Sequence, residues 1–181
     1  HNDARRQRQM CIRDSLIVME DILLIPDKVK NTLILGESHF REFKTALEGR
    51  PESKKPRLVR AICADIGEGL VSFANADGGE IIIGVEDDGT VTGIPHTDEE
   101  IQTMLNAVNT HVYQNQKLPI TNSSKLMVDG KVILYFSVNK GTTMIYQLPD
   151  GRCVRRKDKS TMPASVDQIQ FERQEIKSRE Y

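Results

Sequence analysis

The stretch VSFANADGGEIIIGVEDDGTVTGI, residues 71–94, decides the fold that we expect for this chain. An apolar helix ends here at Asn75, and Gly78 and Gly79 permit a turn with positive φ. Residues 80–85 include three consecutive isoleucines, and such a β-branched run is typical of a strand that is buried on both faces. An acidic turn then leads into residues 91–94, which predicts a hairpin.

Upstream of this stretch, the chain predicts a strand, a loop and the body of the helix. Residues 40–44 alternate with period two, as a strand does, and the polar segment 49–57 with its prolines predicts a surface loop. Apolar residues recur at spacings of three and four through residues 58–74. They form one stripe along the helix: Val59, Ile62, Ile66, Leu70 and Phe73.

Downstream, the pattern predicts helices that flank two further hairpins. Thr97 and Glu100 have the spacing of a capping box and open a helix that runs to Val108. The hairpins pair 125–128 with 132–138 and 144–147 with 152–156, and a terminal helix over 165–181 turns Val166, Ile169 and Phe171 inward. The expected fold class is therefore α+β, with a mixed or antiparallel sheet built from hairpins and helices packed mainly on one side.

Composition limits the function classes. With 181 residues, 25 basic and 26 acidic, the formal net charge is −1, so binding of nucleic acid would need a local basic patch. No apolar run reaches the roughly 20 residues of a membrane helix. The three cysteines are far apart, without a CxxC pair, and indicate free thiols in a reducing compartment. We expect a cytoplasmic protein with no membrane association.

Three segments in this order resemble the Schlafen AlbA-like domain family. They are GESHFREFK (36–44), the stretch at 71–94, and RCVRRKDKSTMPAS (152–165). Chance agreement of three ordered segments is much less frequent than agreement of one.

The resemblance also implies a division of the chain. We expect the Schlafen AlbA-like domain over residues 34–170, preceded by a disordered or artefactual tail at 1–14 and a lead-in segment at 15–33. Residues 171–181 would be the end of the terminal helix.

What the resemblance implies about function is a nucleic-acid partner, RNA or DNA. Some members of the family cleave transfer or ribosomal RNA with a divalent metal, and many bacterial members are labelled DNA-binding transcriptional regulators. Older labels call some members ATP-binding, which would place a nucleotide at the turn of residues 75–79. These interpretations stay open at this point because one fold carries several functions. Whether the chain forms a homodimer also stays open.

Matching to the nuclease members implies a catalytic metal site at Glu37, Glu42 and Asp87. Phosphodiester cleavage needs a cation at the phosphate oxygens, and oxygen ligands without nearby histidine or cysteine favour Mg²⁺ or Mn²⁺. The alternative is that Glu37 is a solvated loop acid, Glu42 is paired with Lys44 or Arg41, and Asp87 is an ordinary turn residue.

The segment Arg152–Lys159 carries five basic residues and one acidic residue. Phosphate groups attract such a stripe through counterion release. We expect Arg152, Arg155, Arg156 and Lys157 to contact the nucleic-acid backbone. The alternative is a solvated edge strand, since lysine and arginine protect strand edges from aggregation.

Overall fold

The computed structural model describes residues 25–179. The predicted tail at 1–14 and most of the lead-in segment lie outside these residues. The chain divides into two compact units, residues 1–35 and 36–181. The described part of the first unit is a helix, α1, over residues 25–35.

The second unit is built on a four-stranded mixed sheet. Its strand order is β1-β4-β6-β5, with β1 parallel to β4 and the other neighbours antiparallel. The strands are β1 (Arg41–Lys44), β4 (Gly79–Ile83), β5 (Ile120–Val128) and β6 (Lys131–Val138). All three isoleucines of β4 are fully buried, which confirms the prediction from their consecutive run. The α+β fold class is confirmed as well.

Helix α2 (Val59–Asn75) packs on one face of this sheet. Four residues of the predicted stripe, Ile62, Ile66, Leu70 and Phe73, are fully buried. A Cβ at Gly67 would lie 2.4 Å from the Cβ of His111. Glycine at this position therefore permits a close approach that outweighs its cost of about 1 kcal/mol to the helix.

Two short helices lie beside α2, α3 (Asp98–Leu105) and α4 (Ala107–Thr110). The predicted capping box is present: the Thr97 hydroxyl accepts from the Glu100 amide, and the Glu100 carboxylate accepts from the Thr97 amide. The single helix predicted through Val108 is interrupted at Asn106, whose amide is bonded to Gln102.

The hairpin predicted from residues 80–85 and 91–94 is formed only next to its turn. An isolated antiparallel bridge joins Val85 to Val91, and the amide of Glu86 donates to the carbonyl of Thr90. Residues 91–94 do not continue as a strand along β4, whose neighbours are β1 and β6. The amide of Ile94 donates instead to the carbonyl of Val132. Both edges of β4 are already occupied by β1 and β6, so residues 91–94 have no edge of β4 to pair with.

The hairpin predicted around residues 129–130 is confirmed, and β5 and β6 form it. The one predicted from 144–147 and 152–156 is wrong. Its second half instead forms β7 (Val154–Lys157), which pairs with β8 (Ser160–Pro163). Asp158, at φ +52°, makes the turn between them. The backbone of residue 146 is bound by a side chain of α2 and is not free to pair as a strand.

The remaining elements lie at the surface. The loop predicted at 49–57 is exposed and contains a 3₁₀ turn (Pro51–Ser53) between two-residue strands β2 (Leu47–Glu48) and β3 (Lys55–Pro56). The terminal helix α5 runs Val166–Arg179. Ile169 is buried as predicted, but Val166 and Phe171 are 40% and 62% exposed, so the inward orientation predicted for these two is wrong.

Two further sequence predictions concern cysteines and membrane helices. Cys63 and Cys153 are buried free thiols, and burial raises the pKa of both. Between residues 25 and 179, the chain forms no helix with the length and apolar character required to cross a bilayer.

Candidate nucleic-acid interface and buried ion pair

The middle of the predicted basic stripe, residues 154–157, forms one strand of the β7–β8 hairpin, and the two faces of that strand differ in environment. On the inner face, towards α2, Val154 and Arg156 are only 2% and 1% exposed. On the outer face, Arg155 is half-buried and Lys157 is exposed. Residues 157–160 at the tip are all exposed. The cations of this hairpin are therefore not equivalent.

Arg156 is not available to a nucleic acid, although its sequence position suggests a phosphate contact. Its Nη1 donates to Glu42 Oε2 at 2.8 Å, and both side chains are buried. Its Nη2 donates to the carbonyls of Ser38 and Arg41 at 3.1 and 3.3 Å. The guanidinium carbon lies 5.0 Å from the centre of the Phe73 ring, within the range of a cation–π contact.

The other three predicted contact residues remain at or near the surface. Arg155 is paired with Glu172 of α5, and 22% of its side chain is exposed. Arg152 is 65% exposed and donates to Asp150 at 2.7 Å. Lys157 is exposed and has no ion-pair partner among the described residues.

The buried carboxylate of Glu42 is held by two cations. Its Oε1 lies 2.8 Å from Lys44 Nζ, and its Oε2 meets Arg156. Glu37 stands at the outer edge of β1, where its Oε1 accepts from the amide of Phe43 at 2.9 Å. The alternative interpretation of Glu42, as an acid paired with Lys44, therefore describes part of its environment.

Lys44 interacts electrostatically with several acids. Burial alone would lower its pKa, but the hydrogen bond and charge of Glu42, with Asp65 and Glu37 nearby, raise the pKa above its ordinary value. The raised pKa favours the protonated form of Lys44, whose positive charge offsets part of the repulsion between Glu37 and Glu42.

Asp87 lies in the exposed turn that follows β4. The preceding residue, Glu86, contacts the residue after β1: it accepts from Thr45 and Lys54, each at 2.8 Å. Burial alone would raise the pKa of Glu86, but its contacts with Lys54 and Thr45 outweigh this effect and lower the pKa.

The carboxylates do not fit a divalent cation in this arrangement. The oxygens of Glu42 are engaged by two cations, and one oxygen of Glu37 is engaged by a backbone amide. Across the described part of the chain, no group of three or more histidine, cysteine, aspartate and glutamate residues is placed to hold a metal ion. Metal binding at Glu37, Glu42 and Asp87 stays a prediction.

The turn after α2 is filled by the chain itself. Asn75 is buried, its amide donates to the carbonyls of Tyr146 and Val154, and its oxygen accepts from the amide of Tyr146. A Cβ at Gly78 would lie 2.8 Å from the carbonyl oxygen of Val138. This packing gives no support to a nucleotide at residues 75–79.

Sequence reasoning misses three residues that shape this region: Lys159, Glu86 and Glu172. Lys159 belongs to the basic segment but not to the predicted contacts, although a lysine in the turn of a hairpin is necessarily exposed. Glu86 is detectable as the first acid after β4. Nothing in the sequence pairs Glu172 with Arg155, because that contact depends on where α5 lies.

Comparison with known proteins bears on the fold and the family. The model of the family described as Schlafen, AlbA_2 matches residues 37–165. The crystal structure of the DIP2311 protein from Corynebacterium diphtheriae is similar at 19% identity and a TM-score of 0.53, over 70% of this chain and 22% of that chain. The N-terminal domain of a RecG-related protein from Nitrosomonas europaea aligns at 20% identity and a TM-score of 0.42, over 64% of this chain and 72% of that chain.

The Corynebacterium structure is similar in fold alone at this identity. The chain spans 22% of that protein's length.

Proposed function

The chain belongs to the Schlafen AlbA_2 family, and on this premise we propose that it is a nucleic-acid-binding module that contacts phosphate groups through the tip of the β7–β8 hairpin. One observation carries the proposal. Lys157 and Lys159 are exposed at this tip and have no ion-pair partner among the described residues. Their charges are therefore available to an external anion.

Arg152 is a third candidate for phosphate binding, just before the same hairpin. Its pairing with Asp150 joins two largely exposed side chains, and solvent screens the attraction in such pairs. A phosphate can displace the carboxylate at little cost. Arg155 is a weaker candidate because Glu172 already neutralises its charge.

Binding to the backbone suits this chain better than base readout. Aromatic residues make up 5% of the sequence, with no tryptophan, so a stacking platform for single-stranded bases is poorly supported. Phosphate contacts carry no sequence information of their own. The partner is accordingly RNA or DNA, and a DNA-binding regulatory module is one form that this function can take. A homodimer stays a prediction.

Metal-dependent RNA cleavage is the less supported function. It requires carboxylate oxygens that are free to bind Mg²⁺ or Mn²⁺, whereas those of Glu42 already meet Lys44 and Arg156. Cleavage of RNA is therefore an alternative outcome of the binding test below.

The test compares two hairpins of the same chain. Fluorescently labelled transfer RNA and duplex DNA are titrated with wild type, with a Lys157→Ala/Lys159→Ala variant, and with a Lys125→Ala/Lys131→Ala control on β5–β6. Both variants remove the same charge. The tip variant should bind about tenfold more weakly, and its slope of log K against log salt should fall by about 0.9 for each phosphate that these lysines neutralise in the wild type.

The control should retain most of the wild-type affinity. Equal reductions of affinity in the two variants would show non-specific attraction and contradict the assignment to the β7–β8 tip. Wild-type cleavage of the transfer RNA in Mn²⁺, abolished by a chelator, would favour the endonuclease.

A further inference from the structure

We infer that Glu42 and Arg156 are positioning residues, whose buried ion pair fixes the β7–β8 hairpin on the main sheet and so sets where the tip lysines meet phosphate. The second half of this inference rests on the proposed function. The first half concerns the free protein and can be measured without any nucleic acid.

The hairpin needs such an anchor because its backbone does not extend the sheet. β7 and β8 pair only with each other, and among the described residues no backbone hydrogen bond joins them to β1, β4, β5 or β6. Side chains make the connections instead. Asn75 and Ser72 of α2 bind the Val154 carbonyl and Thr161, Arg155 pairs with Glu172 of α5, and Arg156 reaches β1.

Arg156 reaches further than the other links. It joins β7 to β1 across 114 residues of sequence, and its two terminal nitrogens meet Glu42 and the carbonyls of Ser38 and Arg41. A planar guanidinium holds several acceptors in one fixed geometry, which a lysine ammonium does not. The interaction therefore defines both the distance and the orientation of β7.

Helix α2 leaves room for this pair. At Gly69 an added Cβ would lie 3.0 Å from Ile81 Cδ1 and 3.6 Å from Glu42 Oε2. One turn further along the helix, the Phe73 ring lies against the guanidinium. Gly69 therefore leaves space for the Glu42 carboxylate, and the Phe73 ring packs against the Arg156 guanidinium.

The direction of the change in affinity distinguishes a positioning role of Glu42 from a simple effect of its charge. Neutralising an acid in a protein that binds phosphates should tighten binding if only charge matters. Glu42→Gln weakens the hold on Arg156 instead, since a neutral amide oxygen replaces a carboxylate. The positioning role predicts weaker binding from a variant that is more positive than wild type.

The experiment measures two quantities on the same proteins: amide hydrogen exchange of the free protein, and affinity for the labelled transfer RNA at several salt concentrations. The variants are Arg156→Met and Glu42→Gln, with Lys125→Met as the control because it removes the same charge from the exposed pair with Asp98. Arg156→Lys keeps the charge without the fixed geometry, and it serves if Arg156→Met does not fold.

In the free protein, exchange in β7 and β8 should accelerate by about tenfold or more in Arg156→Met, while β4 keeps its protection. Affinity should fall about fivefold or more in both variants, with the salt slope unchanged because the lysines that bind phosphate are still present. Glu42→Gln binding as tightly as wild type, or hairpin exchange equal to that of Lys125→Met, would overturn the inference.

The two proposals fail separately. If the tip lysines prove irrelevant to binding while Arg156→Met still loosens the hairpin, the proposed function falls and the anchoring role stands. If the tip lysines matter but hairpin exchange is insensitive to Arg156, the anchoring role falls and the proposed function stands.

Discussion

Arg156 and Lys157 are neighbours on β7 but lie in opposite environments. Arg156 is 1% exposed and surrounded by a carboxylate, two carbonyls and an aromatic ring, whereas Lys157 is exposed at the tip and has no ion-pair partner among residues 25–179. The same formal charge is thus enclosed by protein groups on the inner face of the hairpin and exposed to solvent at its tip. A run of basic residues is therefore not a measure of a binding surface.

The largest effect should come from the inner face. Arg156→Met removes one of the two cations that pair with the buried carboxylate of Glu42. Breaking a buried pair costs about 3–5 kcal/mol of unfolding free energy, and the remaining contact with Lys44 recovers part of this cost. Urea denaturation measures this decrease. The control Lys125→Met opens the pair with the exposed Asp98, and a much smaller decrease is expected because solvent screens that pair. Equal decreases in the two variants would contradict the distinction between the faces.

The second anchor of the inner face should give a smaller decrease. Asn75→Ala removes three buried hydrogen bonds to the backbone of Tyr146 and Val154. Buried groups without partners cost about 1–3 kcal/mol each, although water entry recovers part of this. We expect an unfolding free energy lower by about 3 kcal/mol in the same urea assay. A decrease below about 0.5 kcal/mol would mean that the hairpin does not depend on Asn75.

Asp77 provides the scale for a half-exposed ion pair. It meets Lys140 at 2.9 Å and His39 at 3.1 Å. Burial would raise its pKa, but the hydrogen bonds and charges of these partners lower it. Asp77→Asn should therefore cost about 0.5–1 kcal/mol at neutral pH.

The pH dependence of this cost has a definite sign. Because the folded pKa lies below the unfolded one, the stabilisation is complete above the ordinary aspartate pKa of about 3.9 and disappears as pH falls through the lowered folded value. Urea titrations of wild type and Asp77→Asn should converge in acid. A difference that persists there would contradict the ionic origin.

The smallest effect on stability should come from the outer face. Lys157→Ala/Lys159→Ala removes exposed charges that have no ion-pair partner among the described residues. The free energy of unfolding should therefore change by no more than about 0.5 kcal/mol, which thermal denaturation measures. The large effect of this variant is on nucleic-acid affinity. A destabilisation comparable with that of Arg156→Met would show that the tip also anchors the hairpin.

Local patterns are sufficient to predict much of the fold. The three consecutive isoleucines of β4, the stripe of α2 and the capping box at Thr97 each depend on neighbours in sequence, and each is confirmed. The hairpin that is wrong, and the one that forms only next to its turn, depend on pairing between segments. Residues 144–147 have the pattern of a strand, but a side chain of α2 binds the backbone of residue 146 from 71 positions away, which no local pattern reveals.

The candidate site is predictable only in part, for the same reason. The acidic motif locates Glu42, and the basic run locates Arg156, but their contact spans 114 residues. The sequence assigns each to an external ligand because its true partner lies on a different segment. The difference in burial between Arg156 and Lys157 becomes predictable only when the orientation of β7 relative to α2 is known.

The most direct test of the central claim is amide chemical-shift mapping of the isotope-labelled protein with unlabelled transfer RNA. The largest shifts should fall on residues 157–160, decline with added salt, and leave the turn of residues 86–89 unchanged. Shifts confined to residues 86–89 or to 37–42, or the absence of any shift at the hairpin tip, would contradict binding through the β7–β8 hairpin.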